Sequence, residues 1–233
     1  MKRFIIALAI LCCCIPGAAD YAVLTKEANA ARKAKKFELA LQKYNAAYQA
    51  AKNGREKYNA VKNLGSFLYS CKEKAKAAEV YENALINDDL EPRQRQSLLI
   101  NIAAMYLWDK QKYQYALDKL NLAFAVKDGF RPDEISYFIM CNYAACIYNT
   151  FKKEYDPIIV ICEPAAERSK INWHKATLYS AIARAYNKLG KKDEAVKNYE
   201  LALMYAKKDK GYVRSNGAKA LADLEKTLKG LKK

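Results

Sequence analysis

The chain has 233 residues, 41 Lys+Arg against 25 Asp+Glu for a net charge of +16, 52% hydrophobic residues and a single histidine, His174. That apolar and aromatic content excludes a disordered chain, and 8 Gly with 5 Pro are too few for the turns of a β-sandwich or barrel. One histidine argues against a His-rich metal site or a His-paired proton relay, so the composition points to a mostly helical binding protein.

Met1, Lys2 and Arg3 open the chain with positive charge, Phe4 to Ile15 is an unbroken apolar run, and Gly17-Ala18-Ala19 supplies small residues before Asp20. This reads as a secretory signal peptide over residues 1–19, because the run falls short of the roughly 20 residues that a membrane-spanning helix needs. The rival readings are an uncleaved anchor and a lipoprotein signal ending at Cys12, Cys13 or Cys14. The lipoprotein is disfavoured by Leu11, which stands where a small residue usually precedes the lipidated Cys. Cleavage removes Lys2 and Arg3 and no acid, lowering the net charge from +16 to +14. The expected location is periplasmic or otherwise extracytoplasmic. Four cysteines remain, Cys71, Cys141, Cys146 and Cys162. Cys141 and Cys146 fall on one helix beyond bridging distance, and the favoured reading of all four is small, partly buried thiols. Without C-x-x-C spacing or a second His, no metal is expected.

From Asp20 onward apolar residues recur at helical spacing, interrupted at Lys52-Asn53-Gly54, Asp88-Asp89, Lys127-Asp128-Gly129 and Lys207-Lys208-Asp209. The segments come in pairs. Second helices carry Phe37, Ala40, Tyr44, Ala47; then Ala77, Tyr81, Ala84; Tyr113, Ala116, Leu120, Ala123; Tyr155, Ile158, Cys162, Ala165; and Ala195, Tyr199, Ala202. The first small slot, at Ala40, Ala77, Ala116, Ile158 and Ala195, returns after 37, 39, 42 and 37 residues. First helices answer with Leu64-Gly65 and Leu68, Ile102-Ala103 and Tyr106, Tyr143-Ala144 and Ile147, and Ile182-Ala183 and Tyr186. A large residue beside a Gly or Ala lets a partner helix come close while the bulky neighbour fills the gap, which predicts antiparallel hairpins. One hairpin cannot bury its outer apolar face, so the hairpins must stack into a solenoid.

This pattern resembles the tetratricopeptide repeat (TPR) family, whose 34-residue helix-turn-helix unit carries a large residue, a Gly or Ala and a Tyr in its first helix, then Ala, aromatic and Ala in its second. The nearest copy, Ala176 to Asp209, has Tyr179, Ile182, Ala183, Tyr186, Gly190, Ala195, Tyr199 and Ala202 at those places. The expectation is an all-α repeat solenoid over residues 20–233. Five units are placed near 21–54, 58–91, 96–131, 137–173 and 176–209, with a capping helix over 213–231 formed by Leu221, Leu224, Leu228 and Leu231. Glu27 replaces an apolar residue in the first unit, as a solvent-facing end allows. Pro164 is expected to kink the second helix of the fourth unit, whereas Pro92, Pro132 and Pro157 suit first helical turns.

The resemblance implies that first helices line a concave surface. Spacings of three, four and three then mark Asn59, Lys62, Ser66, Tyr69; Ser97, Ile100, Ala104, Leu107 with Trp108 alongside; Phe138, Cys141, Ala145, Tyr148; and Thr177, Ser180, Arg184, Asn187. Arg32, Lys33, Lys62, Arg184 and Lys188 stand at the ends of this wall. An apolar and aromatic middle with basic ends suits a peptide or protein segment. The competing reading is that Ile100, Leu107 and Phe138 are simply core. Family members that grip acidic carboxyl tails of cytosolic chaperones use two Lys, two Asn and one Arg. Here Asn29 and Asn63 fill the Asn places, but Thr25, Ser97 and Asn101 replace the cations, so that clamp is not supported.

The lysine clusters are read first as solvated helix ends and second as a surface for an anionic envelope component, a polymer or a membrane. A permanent structural subunit is a further alternative. No base-reading module argues for nucleic acid, and neither a cofactor nor a small-molecule substrate is expected. No nucleophile elbow or phosphate-cradling loop occurs, and the acid pairs Asp88-Asp89 and Asp193-Glu194 are placed in turns, so the chain is read as a non-enzyme.

Overall fold

The computed structural model describes residues 20–86, 89–209 and 217–232. Eleven α-helices and one π-helical turn occupy those residues, with no strand among them. The proposed signal peptide lies outside the described residues. The chain divides into two compact units, residues up to Leu64 and residues from Gly65 onward.

In the first unit α1 (Tyr21–Lys33) and α2 (Phe37–Ala50) form a hairpin. Leu24, Ala28 and Ala31 of α1 and Ala40, Tyr44 and Ala47 of α2 are its buried residues. The buried Tyr44 hydroxyl donates to Asn29 Oδ1 at 2.7 Å, which satisfies its polar end inside an apolar contact. Glu27 faces outward and pairs with Lys43 at 2.7 Å. The start of α3 (Gly54–Ser70) also belongs here; Asn53 Oδ1 accepts the Glu56 N–H at 2.9 Å, and Glu56 accepts the Lys52 N–H at 2.8 Å. This reciprocal pair covers donors that a helix start leaves open.

The second unit continues through α4 (Lys74–Ile86), α5 (Pro92–Tyr106), α6 (Tyr113–Phe124), α7 (Ile135–Ile147), a π-helical turn (Tyr148–Lys152), α8 (Asp156–Arg168), α9 (Asn172–Lys188), α10 (Lys192–Lys208) and α11 (Gly217–Leu231). Packing follows chain order: α5 on α6, α7 on α8, α9 on α10, each pair touching the next, and α11 on α10. Leu224 and Leu228 of α11 close over Tyr199, Ala202 and Ala183, covering an apolar end that would otherwise meet water. Residues 213–216, expected in this helix, lie outside the described residues.

The sequence period has a backbone counterpart. Lys35, Lys72 and Gly190 take left-handed φ angles of 57°, 66° and 76° immediately past α1, α3 and α9. The next residue donates back into the helix in each case: Lys36 N–H to Ala31 O, Glu73 N–H to Leu68 O and Lys191 N–H to Tyr186 O. Those three residues then accept the N–H of Ala40, Ala77 and Ala195 through their own carbonyls. One turn geometry therefore delivers each alanine slot to the facing helix at the same height. Ala40, Ala77, Ala116 and Ala195 are completely buried, and Ile158 nearly so.

Gly65 shows why the slot must be small. A Cβ built there would overlap the ring of Tyr81, itself only 1% exposed. The longer spacings have local causes. Lys112 N–H bonds to Asp109 O ahead of α6, and the π-helical turn lengthens the passage from α7 to α8. Phe151 on that turn stacks on Tyr113 of the preceding hairpin, with ring centroids 4.8 Å apart.

Two local expectations change, at Pro132 and at Asp193-Glu194. Pro132 sits in the turn before α7 and not in a helix, although Pro92 and Pro157 do occupy first turns. Helix α8 runs through Pro164 without a break to Arg168. Asp193 and Glu194 lie within the first turn of α10, where negative charge complements the exposed N–H groups.

Gly65→Ala is expected to lower stability by about 1–3 kcal/mol, because the buried Tyr81 ring must move, and Ala116→Leu should do the same by overpacking. Denaturant midpoints that match the parent protein for both variants would contradict this account of the hairpin contact.

Candidate functional site

Three first helices of the second unit, α5, α7 and α9, are consecutive neighbours, since α7 touches both α5 and α9. Their least covered residues form three stripes. On α5 the stripe runs Gln94, Ser97, Asn101 and Ala104, with Trp108 just beyond the helix; on α9 it runs Trp173, Thr177, Ser180, Arg184 and Asn187. On α7 it runs Ile135, Ile139, Asn142 and Cys146, with Tyr143 beside it, and continues to Asn149 on the π-helical turn. All advance by three and four residues, as one side of a helix must. Ser66 and Tyr69, on the α3 residues of this unit, are exposed as well.

Several expected wall residues are there. Arg184, Asn187 and Lys188 are exposed, Ala104 and Tyr148 are half-buried, and Trp108 is 65% exposed. In the first unit Asn59 is half-buried on α3, and Lys62 is exposed with its ammonium 5.8 Å from the Tyr58 ring centre. Ile100, Leu107 and Phe138 are not wall residues: all three are buried in the packing, along with Cys141.

The correction has a physical cause. Helix α7 is apolar almost all the way round, so its hydrophobic pattern does not fix which side turns outward. Specific partners fix it instead. Phe138 stacks flat on His174 with centroids 4.1 Å apart, and the Cys141 thiol donates to Ile161 O at 3.3 Å. The outward stripe therefore falls one residue later, on Ile139, Asn142, Cys146 and Asn149. On α5 the same one-residue offset replaces Ile100 and Leu107 by Asn101 and Trp108. These amides were missed; the signal available was that Asn101 and Asn142 are polar residues inside otherwise apolar runs.

The wall is chemically unusual. None of α5, α7 and α9 contains an Asp or Glu, whereas α4, α6, α8 and α10 all do. Arg184 makes no ion pair among the described residues; its guanidinium lies near Cys146, Cys162 and Tyr199 and favours their ionised forms. The amides of Asn101, Asn142 and Asn187 have no internal hydrogen bond among those residues. Tyr143 lies close to both Tyr69 and Cys146, and burial pushes its hydroxyl pKa up.

A second concavity of about 360 Å³ lies between α4, α5 and α6, lined by Ala78, Glu79, Glu82, Tyr106, Lys112 and Tyr115. Its charges are largely consumed internally. Glu82 accepts from the Tyr115 hydroxyl at 2.6 Å and pairs with Lys119 at 2.5 Å, while Lys112 covers the Tyr106 ring at 4.8 Å. Burial raises the Glu82 pKa, but these bonds outweigh it and hold the carboxyl below its ordinary range. Among the described residues no group of three His, Cys, Asp or Glu is placed to hold a metal, and no helix is long and apolar enough to cross a membrane.

No family model and no curated protein sequence matches the chain. Solved structures do. A crystal structure of MamA shares 20% identity at a TM-score of 0.59, covering 81% of this chain and 92% of that one. A putative kinesin light chain with nearly identical TPR-like repeats from Podosopora anserina gives 0.60 at 14% identity, covering 84% and 100%. YrrB, described as a TPR protein with an unusual peptide-binding site, gives 0.55 at 16% identity, covering 80% and 86%. The chain folds as a tetratricopeptide-repeat-like array. At these identities the likeness carries the fold.

Within this TPR-like array the fourth and fifth hairpins enclose a histidine and two cysteine thiols. His174 is completely buried between Phe138 and Trp173; its Nδ1 lies 3.4 Å from Ser169 Oγ and its Nε2 has no hydrogen-bond partner among the described residues. Burial holds its pKa below the ordinary histidine value. Cys141 and Cys162 are buried together across α7 and α8, the Cys162 thiol 3.9 Å from Cys141 O. Burial pushes Cys162 up to about 12 and Cys141 further. Cys146 is also raised by burial, with Arg184 pulling it back, and it is half-exposed on the wall.

Because the neutral imidazole is the folded form, the unfolded chain binds the extra proton below about pH 6.5 and stability falls as the pH drops through that region. The urea midpoint is expected to decrease between about pH 7.5 and about pH 5.5, and His174→Phe should remove most of that decrease. An unchanged slope in the variant would assign the effect to other groups. Separately, iodoacetamide at neutral pH should label Cys71 and Cys146 in the native protein and reach Cys141 and Cys162 only after denaturation, as read by peptide mass spectrometry.

Proposed function

We propose that this protein is an exported, non-enzymatic scaffold that holds a peptide or protein segment against the outward stripes of α5, α7 and α9. The observation that carries this reading is a row of side chains with unused bonding capacity on three neighbouring helices. Among the described residues the side-chain amides of Asn101, Asn142 and Asn187 make no hydrogen bond and Arg184 makes no ion pair, while Trp108 and Tyr69 offer exposed aromatic surface. Aromatic residues with adjacent amides and an arginine are the residue types that anchor protein contacts. The structural likeness to YrrB, a protein described as binding peptide, is consistent with this use of the fold. Export rests on the sequence of residues 1–19, and a periplasmic or other extracytoplasmic setting follows from it.

A second reading, attraction to an anionic envelope polymer or membrane, is favoured by the net charge of +16. Exposed charge attraction is screened over roughly 10 Å at 0.1 M salt, so such binding would disappear between low and moderate salt. A permanent structural subunit would instead sediment only as part of a larger assembly.

The test is photocrosslinking in the native envelope, with a benzophenone amino acid placed at Tyr69 or Ala104 on the wall and at Leu122 or Val160 on the exposed sides of α6 and α8. The wall positions should yield discrete protein adducts and the outer positions should not. Adducts confined to Leu122 and Val160, or none at any position, would reject the wall as the binding surface.

A further inference from the structure

We infer that Cys141 of α7 and Cys162 of α8 are a disulfide site, closed by oxidation as the fourth hairpin folds. The oxidising setting rests on the export proposed above, whereas the site itself rests on the hairpin. Both side chains are completely buried in one apolar cluster. The Cys141 thiol lies 3.3 Å from the carbonyl oxygen of Ile161, the residue before Cys162, and the Cys162 thiol lies 3.9 Å from the carbonyl oxygen of Cys141. Each sulfur thus rests on the backbone that carries the other. Around them Ala144 and Ala145 of α7 and Ala165 and Ala166 of α8 are all buried. A bridge needs Cα atoms about 4.4–6.8 Å apart, and two helices come that close only where small residues make the contact.

The repeat pattern singles out this pair. Cys162 stands four residues after the first small slot, the place of Tyr44, Tyr81, Leu120 and Tyr199 in the other hairpins. Cys141 stands three residues before the slot of the facing helix, the place of Lys62, Ile100 and Ser180. This hairpin therefore gives up a large anchoring side chain and sets a second cysteine against the smaller one. A bond between the sulfurs restores a fixed contact there. Of the other two cysteines, Cys71 lies just past α3, outside this cluster, and Cys146 is five residues from Cys141 on the same helix, beyond bridging distance.

Closure exchanges bonds with a disulfide oxidant, either a protein disulfide or glutathione disulfide. One cysteine thiolate attacks a sulfur of the oxidant, whose S–S bond breaks and releases one thiolate. The second cysteine thiolate attacks the protein sulfur of that mixed disulfide and displaces the other half. The cysteine pair gives up two electrons and two protons, and the oxidant leaves as two thiols. In the folded dithiol protein burial keeps both thiols protonated and covered, so the exchange belongs to folding, before α7 and α8 close on each other.

The test starts from full-length protein, reduced, unfolded in urea and refolded in a buffer of reduced and oxidised glutathione. It is then alkylated with iodoacetamide and cut with chymotrypsin, which separates Cys141 from Cys146 at Tyr143. Mass spectrometry should find the peptides of Cys141 and Cys162 joined, with Cys71 and Cys146 alkylated. The bridged protein should melt about 5–10 °C above protein refolded under dithiothreitol. Denaturation alone should expose both thiols in the reduced protein, but in the bridged protein only after a reductant is added. Cys141→Ala with Cys162→Ala should melt at the same temperature after either refolding, and Cys146→Ser should keep the bridge.

Alkylated Cys141 and Cys162 after oxidative refolding would overturn the inference. So would Cys162 joined to Cys146, its other cysteine neighbour. If the bridge forms on refolding while protein taken from cells carries both residues as free thiols, the site stands and the exported, oxidising setting falls. If no bridge forms in either protein, the site falls and the export reading is untouched.

Discussion

Everything in this array depends on the distance between the two helices of a hairpin, and that distance is set where one helix has almost no side chain. At Gly65 the ring of Tyr81 occupies the space a methyl group would fill. At Ala103, Ala116, Ala144, Ala183 and Ala195 the residue is completely covered. The large residues beside the slots at Ala103 and Ala183, Ile102 and Ile182, are buried as well. The close contact also fixes how far each helix is rotated, because a bulky residue turned into the slot has nowhere to go. The outward stripes are what remains after that constraint is met.

The regular part of this arrangement was legible in the sequence because it repeats. The alanine slots, the partner Tyr44, Tyr81 and Tyr199, and the turns before Ala40, Ala77 and Ala195 all recur at matching offsets, so several weak local signals agree. The stripe on α9 was legible for the same reason: Thr177, Ser180, Arg184 and Asn187 alternate with buried Leu178, Ala181 and Ala185. Helix α7 was not. Its composition leaves almost every side apolar, and the deciding contacts, Phe138 on His174 and Cys141 against Ile161 O, join residues 36 and 20 positions apart. A rotation set by such contacts has no local periodic signature, and an error of one residue turns a helix by about 100°.

The fourth hairpin is also where the pattern admits extra length. The π-helical turn after α7 absorbs it without disturbing the pairs on either side, since Phe151 is brought back against Tyr113. Polar groups are enclosed between α7, α8 and α9: His174, whose Nε2 has no hydrogen-bond partner among the described residues, Ser169 beside it, and two covered thiols. Each costs desolvation that an alkyl side chain would not. The fixed orientation of α7 offsets that cost, because a flat ring stack accepts one rotation where an all-apolar helix would accept several.

That rotation matters because it decides what the wall presents. Turned one residue the other way, α7 would offer Phe138, Cys141 and Ala145 to a partner and make the surface a greasy trough, selective only for apolar area. As it stands, Asn142 and Asn149 face outward as Asn101 and Asn187 do, and none of α5, α7 and α9 carries a carboxylate. A neutral amide costs far less to strip of water than a lysine or glutamate, so such a wall can approach a polypeptide closely without a large desolvation penalty. Arg184 and Lys188 on α9 add exposed positive charge at one end of it.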